Sequence, residues 1–167
     1  MEAAAYLRVI QDFINEVGIS CTEGAVPADS FLPGILIREG GIVFDPAQLL
    51  YPGDLLHEAG HLAVLSPADR QRADGSENLS GDIGAGASEM AAIAWSWAAK
   101  EHTGVPAEVL FHDMGYKGGA QSLRDNFSQG RYFGVPMLQW LGMTREPRRG
   151  GEADAHTYPG MAKWLRC

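Results

Sequence analysis

Apolar positions between residues 3 and 17 recur at helical spacing, with Leu7, Ile10, Phe13, Ile14 and Val17 on one face and Gly18 placed to close the helix. The period then shortens. Residues 34–38 and 42–44 are short β-branched runs joined by Glu39-Gly40-Gly41, a pattern that predicts a hairpin, and Asp45-Pro46 ends the second strand. From 54 to 65 the pattern is helical again. Leu55, Leu56, Ala59, Leu62, Ala63 and Val64 cover most of its circumference, so this helix is expected to be largely buried, with Asp54 as N-cap and Ser66-Pro67 as the stop. Residues 67–87 show no periodicity and are rich in Asp, Arg, Ser and Gly, which predicts a long surface loop.

The run 88–102 is strongly helical and Gly104 is placed to stop it. Pro106 can open a short helix through Phe111. Two further helices are expected, at 121–129 before Gly130 and at 136–141 before Gly142. Residues 144–156 read as a polar loop and 161–165 as one last helical turn. A helix, a hairpin and then helices make a small α+β domain, mainly helical, spanning residues 1–167 as one unit.

Composition narrows the function. A hydrophobic fraction of 46% and a charged fraction of 20% are those of a globular chain. A net charge of −8 argues against nucleic-acid binding, which needs clustered Lys and Arg. The one basic cluster, Arg145 to Arg149, is interrupted by Glu146 and Pro147 and reads as a solvated loop. No apolar run approaches the ~20 residues of a membrane span, and no secretory signal opens the chain. Cys21 and Cys167 form neither a disulfide framework nor a Cys-x-x-Cys pair, so reduced thiols in a cytoplasm are expected.

The buried helix carries His57-Glu58-Ala59-Gly60-His61, an H-E-x-x-H motif. Histidines at i and i+4 stand one turn apart on one face, so their ring nitrogens can converge on a single zinc ion at about 2.0–2.1 Å. Glu58 projects roughly 100° round the helix, outside the ligand set but within reach of a water, which is where a general base is needed. Gly60 costs a helix interior about 1 kcal/mol, and its presence implies close approach of another backbone.

A zincin site needs a third ligand. The metzincin extension would place a glycine and a histidine where this chain has Val64 and Pro67. The gluzincin arrangement takes a glutamate from a second helix. Glu89 stands 28 positions after His61, ahead of the small residues Ala91, Ala92 and Ala94 that permit close helix packing. Asp69, His112 and His156 are the rival third ligands. The combination of His57-Glu58-Ala-Gly-His61-Leu with Glu89-Met-Ala-Ala-Ile-Ala, after an upstream hairpin, resembles the minimal gluzincin core of the ImmA/IrrE-type metallopeptidase domains. The likeness covers about residues 35–100. It implies a zincin-like fold, zinc held by His57, His61 and Glu89, Glu58 as catalytic base and a peptide or protein substrate. The DNA-binding helix-turn-helix that this family often carries is not part of the pattern here.

Hydrolysis at zinc also needs a donor for the developing oxyanion. His112, flanked by Asp113, is the leading candidate, with Tyr116, Arg131, Tyr132 and Tyr158 as others. His102 reads as structural at a helix C-terminus, and the tryptophans as core or rim. The sequence thus predicts a zinc-dependent hydrolase, with a metal-binding or regulatory module of the same fold as the alternative.

Overall fold

A computed structural model describes residues 2–75 and 79–167. The chain is α+β, mainly helical with a small mixed sheet. Helix α1, Glu2–Glu16, buries Ile10, Phe13 and Ile14, as its periodicity demands. Three strands follow: β1 Cys21–Glu23, β2 Ile35–Arg38 and β3 Gly41–Phe44. Strands β2 and β3 form the expected hairpin, with Ile35 opposite Phe44 and Arg38 opposite Gly41. Its turn is tighter than Gly-Gly suggests: Glu39 and Gly40 both take positive φ, the geometry that matches strand twist, and Gly41 already belongs to β3. Strand β1 lies parallel on the other side of β3, giving the order β1-β3-β2.

Helix α2, Gly53–Val64, carries the H-E-x-x-H motif. It is buried on most sides because it lies between α1, β3 and α4. Asp54 is not its N-cap. Pro52 holds the cap position without a side-chain bond, and the Asp54 carboxylate is engaged by His112 instead. Ser66-Pro67 does end the helix, but the next segment is not a plain loop. Helix α3, Pro67–Gln71, starts at once, capped by Ser66 Oγ accepting from the Asp69 amide. None of its residues is buried, so it has no apolar stripe to betray it. A 3₁₀ turn at Gly81–Ile83 precedes α4, and residues 76–78 of the expected loop lie outside the described residues.

Helix α4, Ala85–Thr103, is the longest and stops at Gly104 in the left-handed conformation. It packs on α2 along a seam of small residues. A Cβ on Gly60 would sit 2.8 Å from the Ala92 carbonyl oxygen, so the close approach implied by that glycine is real. Helices α5 (Ala107–Leu110), α6 (Ala120–Ser128) and α7 (Val135–Trp140) complete the set near their expected positions.

Residues 161–165 do not form a helical turn. The Ala162 and Lys163 amides both donate to the Met143 carbonyl, which holds the segment as a strap across α2 and α4. Trp164 packs edge-on to Phe13 at 4.9 Å, and its carbonyl accepts from the buried Trp95 indole. No helix among the described residues is long and apolar enough to cross a membrane.

Candidate metal centre

The turn spacing of α2 places the His57 and His61 rings edge to face, 4.8 Å apart. The α2–α4 contact at Gly60 then brings Glu89, near the start of α4, across to both. Glu89 Oε1 lies 3.3 Å from His57 Nε2 and Oε2 lies 2.9 Å from His61 Nε2. Each of the three residues thus offers a ligand atom within 4.8 Å of the other two. Tetrahedral bonds of about 2.0–2.1 Å separate donor atoms by roughly 3.3 Å, so the set fits a zinc-sized ion. The imidazoles are nearly covered while the Glu89 side chain is 48% exposed, so the cluster opens on the α4 side.

Glu58 is 5% exposed and has no side-chain hydrogen bond among the described residues; its Oε2 is fully buried without a partner there. Burial raises its pKa, partly offset by the positive character of His57 and His61. His57 moves the other way to what burial alone would cause. Burial disfavours its charge, but its bond to Glu89 and the charges of Glu89, Glu58 and Asp54 raise it overall. Bonds from His57 and His61 hold Glu89 well below the usual carboxylate range despite burial. The charges that act on these three groups are those of Asp54, Glu58, Glu89, His57 and His61. Such a constellation stabilises a cation at its centre, whether a proton or a metal ion.

One turn before His57 on the same face, Asp54 accepts the Nε2–H of His112 at 2.7 Å. The His112 ring stacks on Tyr51 at 3.8 Å, and its buried Nδ1 has no partner among the described residues. The carboxylate that orients His112 is therefore Asp54, not its neighbour Asp113, which pairs with Arg124 at 2.8 Å. Tyr116 completes the wall. Its ring stands edge-on to His57 at 5.5 Å and to Phe111 at 5.1 Å. Its buried hydroxyl has no partner among the described residues, and burial, then the carboxylates of Asp54, Glu89 and Glu58, push its pKa well above 10. The phenol keeps its proton. Holding it there takes unusual backbone: Tyr116 and Lys117 have φ of 58° and 53°, in a region that costs a non-glycine residue about 1–3 kcal/mol.

The remaining sequence candidates lie elsewhere. Asp69 bonds Ser66 and Arg72, and His156 is exposed beside Asp154. Arg131 bonds Asn126 and Gln129, Tyr132 packs on Phe127, and Tyr158 donates to the Ala94 carbonyl. His102 packs against Phe13 and Trp164, a structural role. Sequence reasoning missed Tyr51, Asp54 and Ser88 as neighbours of the cluster; only Asp54, i−3 to His57, carried a local signal. No family model, curated protein or solved structure matches this chain.

Proposed function

We propose that this chain is a zinc-dependent metallopeptidase of gluzincin type, with His57, His61 and Glu89 as ligands and Glu58 as the general base. The reading is supported by one juxtaposition: three donor side chains converge beside the buried Glu58 carboxylate, whose Oε2 has no partner among the described residues. Zinc held there would supply a Lewis acid and a water acidified to near neutral pH. The chain's own residues do the rest. Glu58, whose basicity burial increases, accepts a proton on its carboxylate and returns it to the departing amine. The Tyr116 hydroxyl, protonated and unpartnered, donates to the oxygen of the peptide carbonyl as charge develops on it. His112, oriented by Asp54 and Tyr51, is the second candidate donor. The free thiols of Cys21 and Cys167 fit a reducing cytoplasm.

The test is metal content against turnover. Wild-type protein reconstituted with zinc and dialysed should retain about one zinc per chain, and Glu89→Ala should lose it. Glu58→Gln should keep the zinc while cleavage of a peptide library falls by roughly 10²-fold or more. Wild-type protein that retains no zinc defeats the reading. A zinc-loaded wild type without Glu58-dependent cleavage supports a binding module instead.

A further inference from the structure

Ser88 immediately precedes Glu89 on α4 and is 1% exposed. Its Oγ lies 3.0 Å from Nδ1 of His61 and 2.8 Å from the carbonyl oxygen of Leu79. A carbonyl oxygen can only accept, so the single hydroxyl proton of Ser88 is committed to Leu79. The contact with His61 is then a hydrogen bond only if Nδ1 carries the proton and Ser88 accepts it. We propose that Ser88 is the positioning residue that fixes His61 in its Nδ1–H tautomer, so that Nε2 presents a lone pair to the metal beside Glu89.

Consecutive residues of one helix therefore bracket both nitrogens of one ring, Ser88 at Nδ1 and Glu89 at Nε2. The carboxylate oxygen 2.9 Å from that Nε2 sharpens the argument. A lone pair facing a carboxylate at this distance is repulsive unless a cation lies between them. Leu79 is itself held in place, because the turn after it is clamped by Asp82, whose two oxygens take Arg166 Nη1 and Nη2 at 2.8 and 2.9 Å. Among the described residues His57 has no such device; its Nδ1 has no partner there and its ring packs against Tyr116 and His61. The two histidine ligands are thus unequal, and His61 is the one set by a hydrogen bond.

The inference rests on the zinc reading, and the experiment separates the two. Zinc affinity of the full chain is measured by competition with a chromophoric chelator for wild type and Ser88→Ala, with thermal unfolding of both metal-free proteins. Ser88→Ala should bind about 10–100-fold more weakly. An affinity unchanged in the folded fraction, with only a lower unfolding temperature, would make Ser88 merely structural and overturn the proposal. Nitrogen NMR of the zinc-loaded wild type gives a second test that needs no variant. Protonated Nδ1 with metal-bound Nε2 at His61 supports the assignment, and the reverse pattern overturns it. Wild type that takes up no zinc at all fails the site reading, and this inference with it; zinc binding indifferent to Ser88 fails this inference alone.

Discussion

The two ends of helix α2 are built to opposite rules. At the C-terminal end the carbonyls of Leu62, Ala63, Val64 and Leu65 are answered by arginines. Arg70 donates to Leu62, Ala63 and Leu65 at 2.9, 3.1 and 2.9 Å and reaches on to the Arg166 carbonyl at 2.8 Å. Arg166 adds its amide to Ala63 and its guanidinium to Val64. Two cations sit where the helix dipole is negative. Towards the N-terminal end lie His57 Nδ1, Glu58 Oε2, His112 Nδ1 and Tyr116 OH, which together are the buried side-chain polar atoms left without a partner among the described residues. Buried polar groups are ordinarily paired, and clustered exceptions require a reason. One end of the helix is finished by the chain itself. The other keeps buried polar atoms unpaired among the described residues.

If that contrast is right, variants at the two ends should fail in opposite ways. The largest effect is expected from Tyr116→Phe, which removes an orphaned hydroxyl. Thermal unfolding should show equal or greater stability, since no bond is lost, while turnover falls roughly 10²-fold. A clear loss of stability would mean that the hydroxyl has a partner in the folded chain. Next comes Arg70→Ala, which abandons a set of partly buried carbonyls. Denaturant unfolding should show a loss of about 2–3 kcal/mol. Zinc content and turnover per folded molecule should stay within about twofold of wild type.

The smallest effect concerns acid. Arg166, hydrogen-bonded to Asp82, holds that carboxyl below its ordinary value of 3.8. A depressed folded value means that the pair's stabilisation is complete above 3.8 and is lost as pH falls through the folded value. Asp82→Asn should therefore lower stability slightly at neutral pH and match wild type at the acid end. Parallel pH–stability curves for the two proteins would show that the pair contributes nothing.

Legibility in the sequence tracks the range of the interaction. The i, i+4 histidines, the turn at Glu39-Gly40 and the stop at Gly104 are local, and their residues announce them. Gly60 signalled a close neighbour, and the alanines after Glu89 supplied it. The features that stayed hidden depend on partners far along the chain. The Asp54–His112 bond joins residues 58 positions apart, and Ser88 meets His61 across 27. Nothing beside Asp54 distinguishes an orienting carboxylate from an N-cap, and the two roles compete for the same oxygens. Strand β1 is only three residues long and pairs in parallel, so it shows no alternation of its own. Helix α3 is too short and exposed for periodicity, although Ser66-Pro67 and Asp69 form a start signal.

The missing side chain of Gly60 also acts as a ruler. The histidines ride on one helix and the carboxylate on the other, so the gap between the two backbones is the bite of the proposed ligand set. A methyl at position 60, 2.8 Å from the Ala92 oxygen, has to push α4 outward and carry Glu89 with it. A wider bite stretches the set beyond the bonds of about 2.0–2.1 Å that zinc makes to imidazole and carboxylate, and holds that ion less well. In the proposed site, ion size is therefore gauged at a residue that touches no ion, by an atom that is absent.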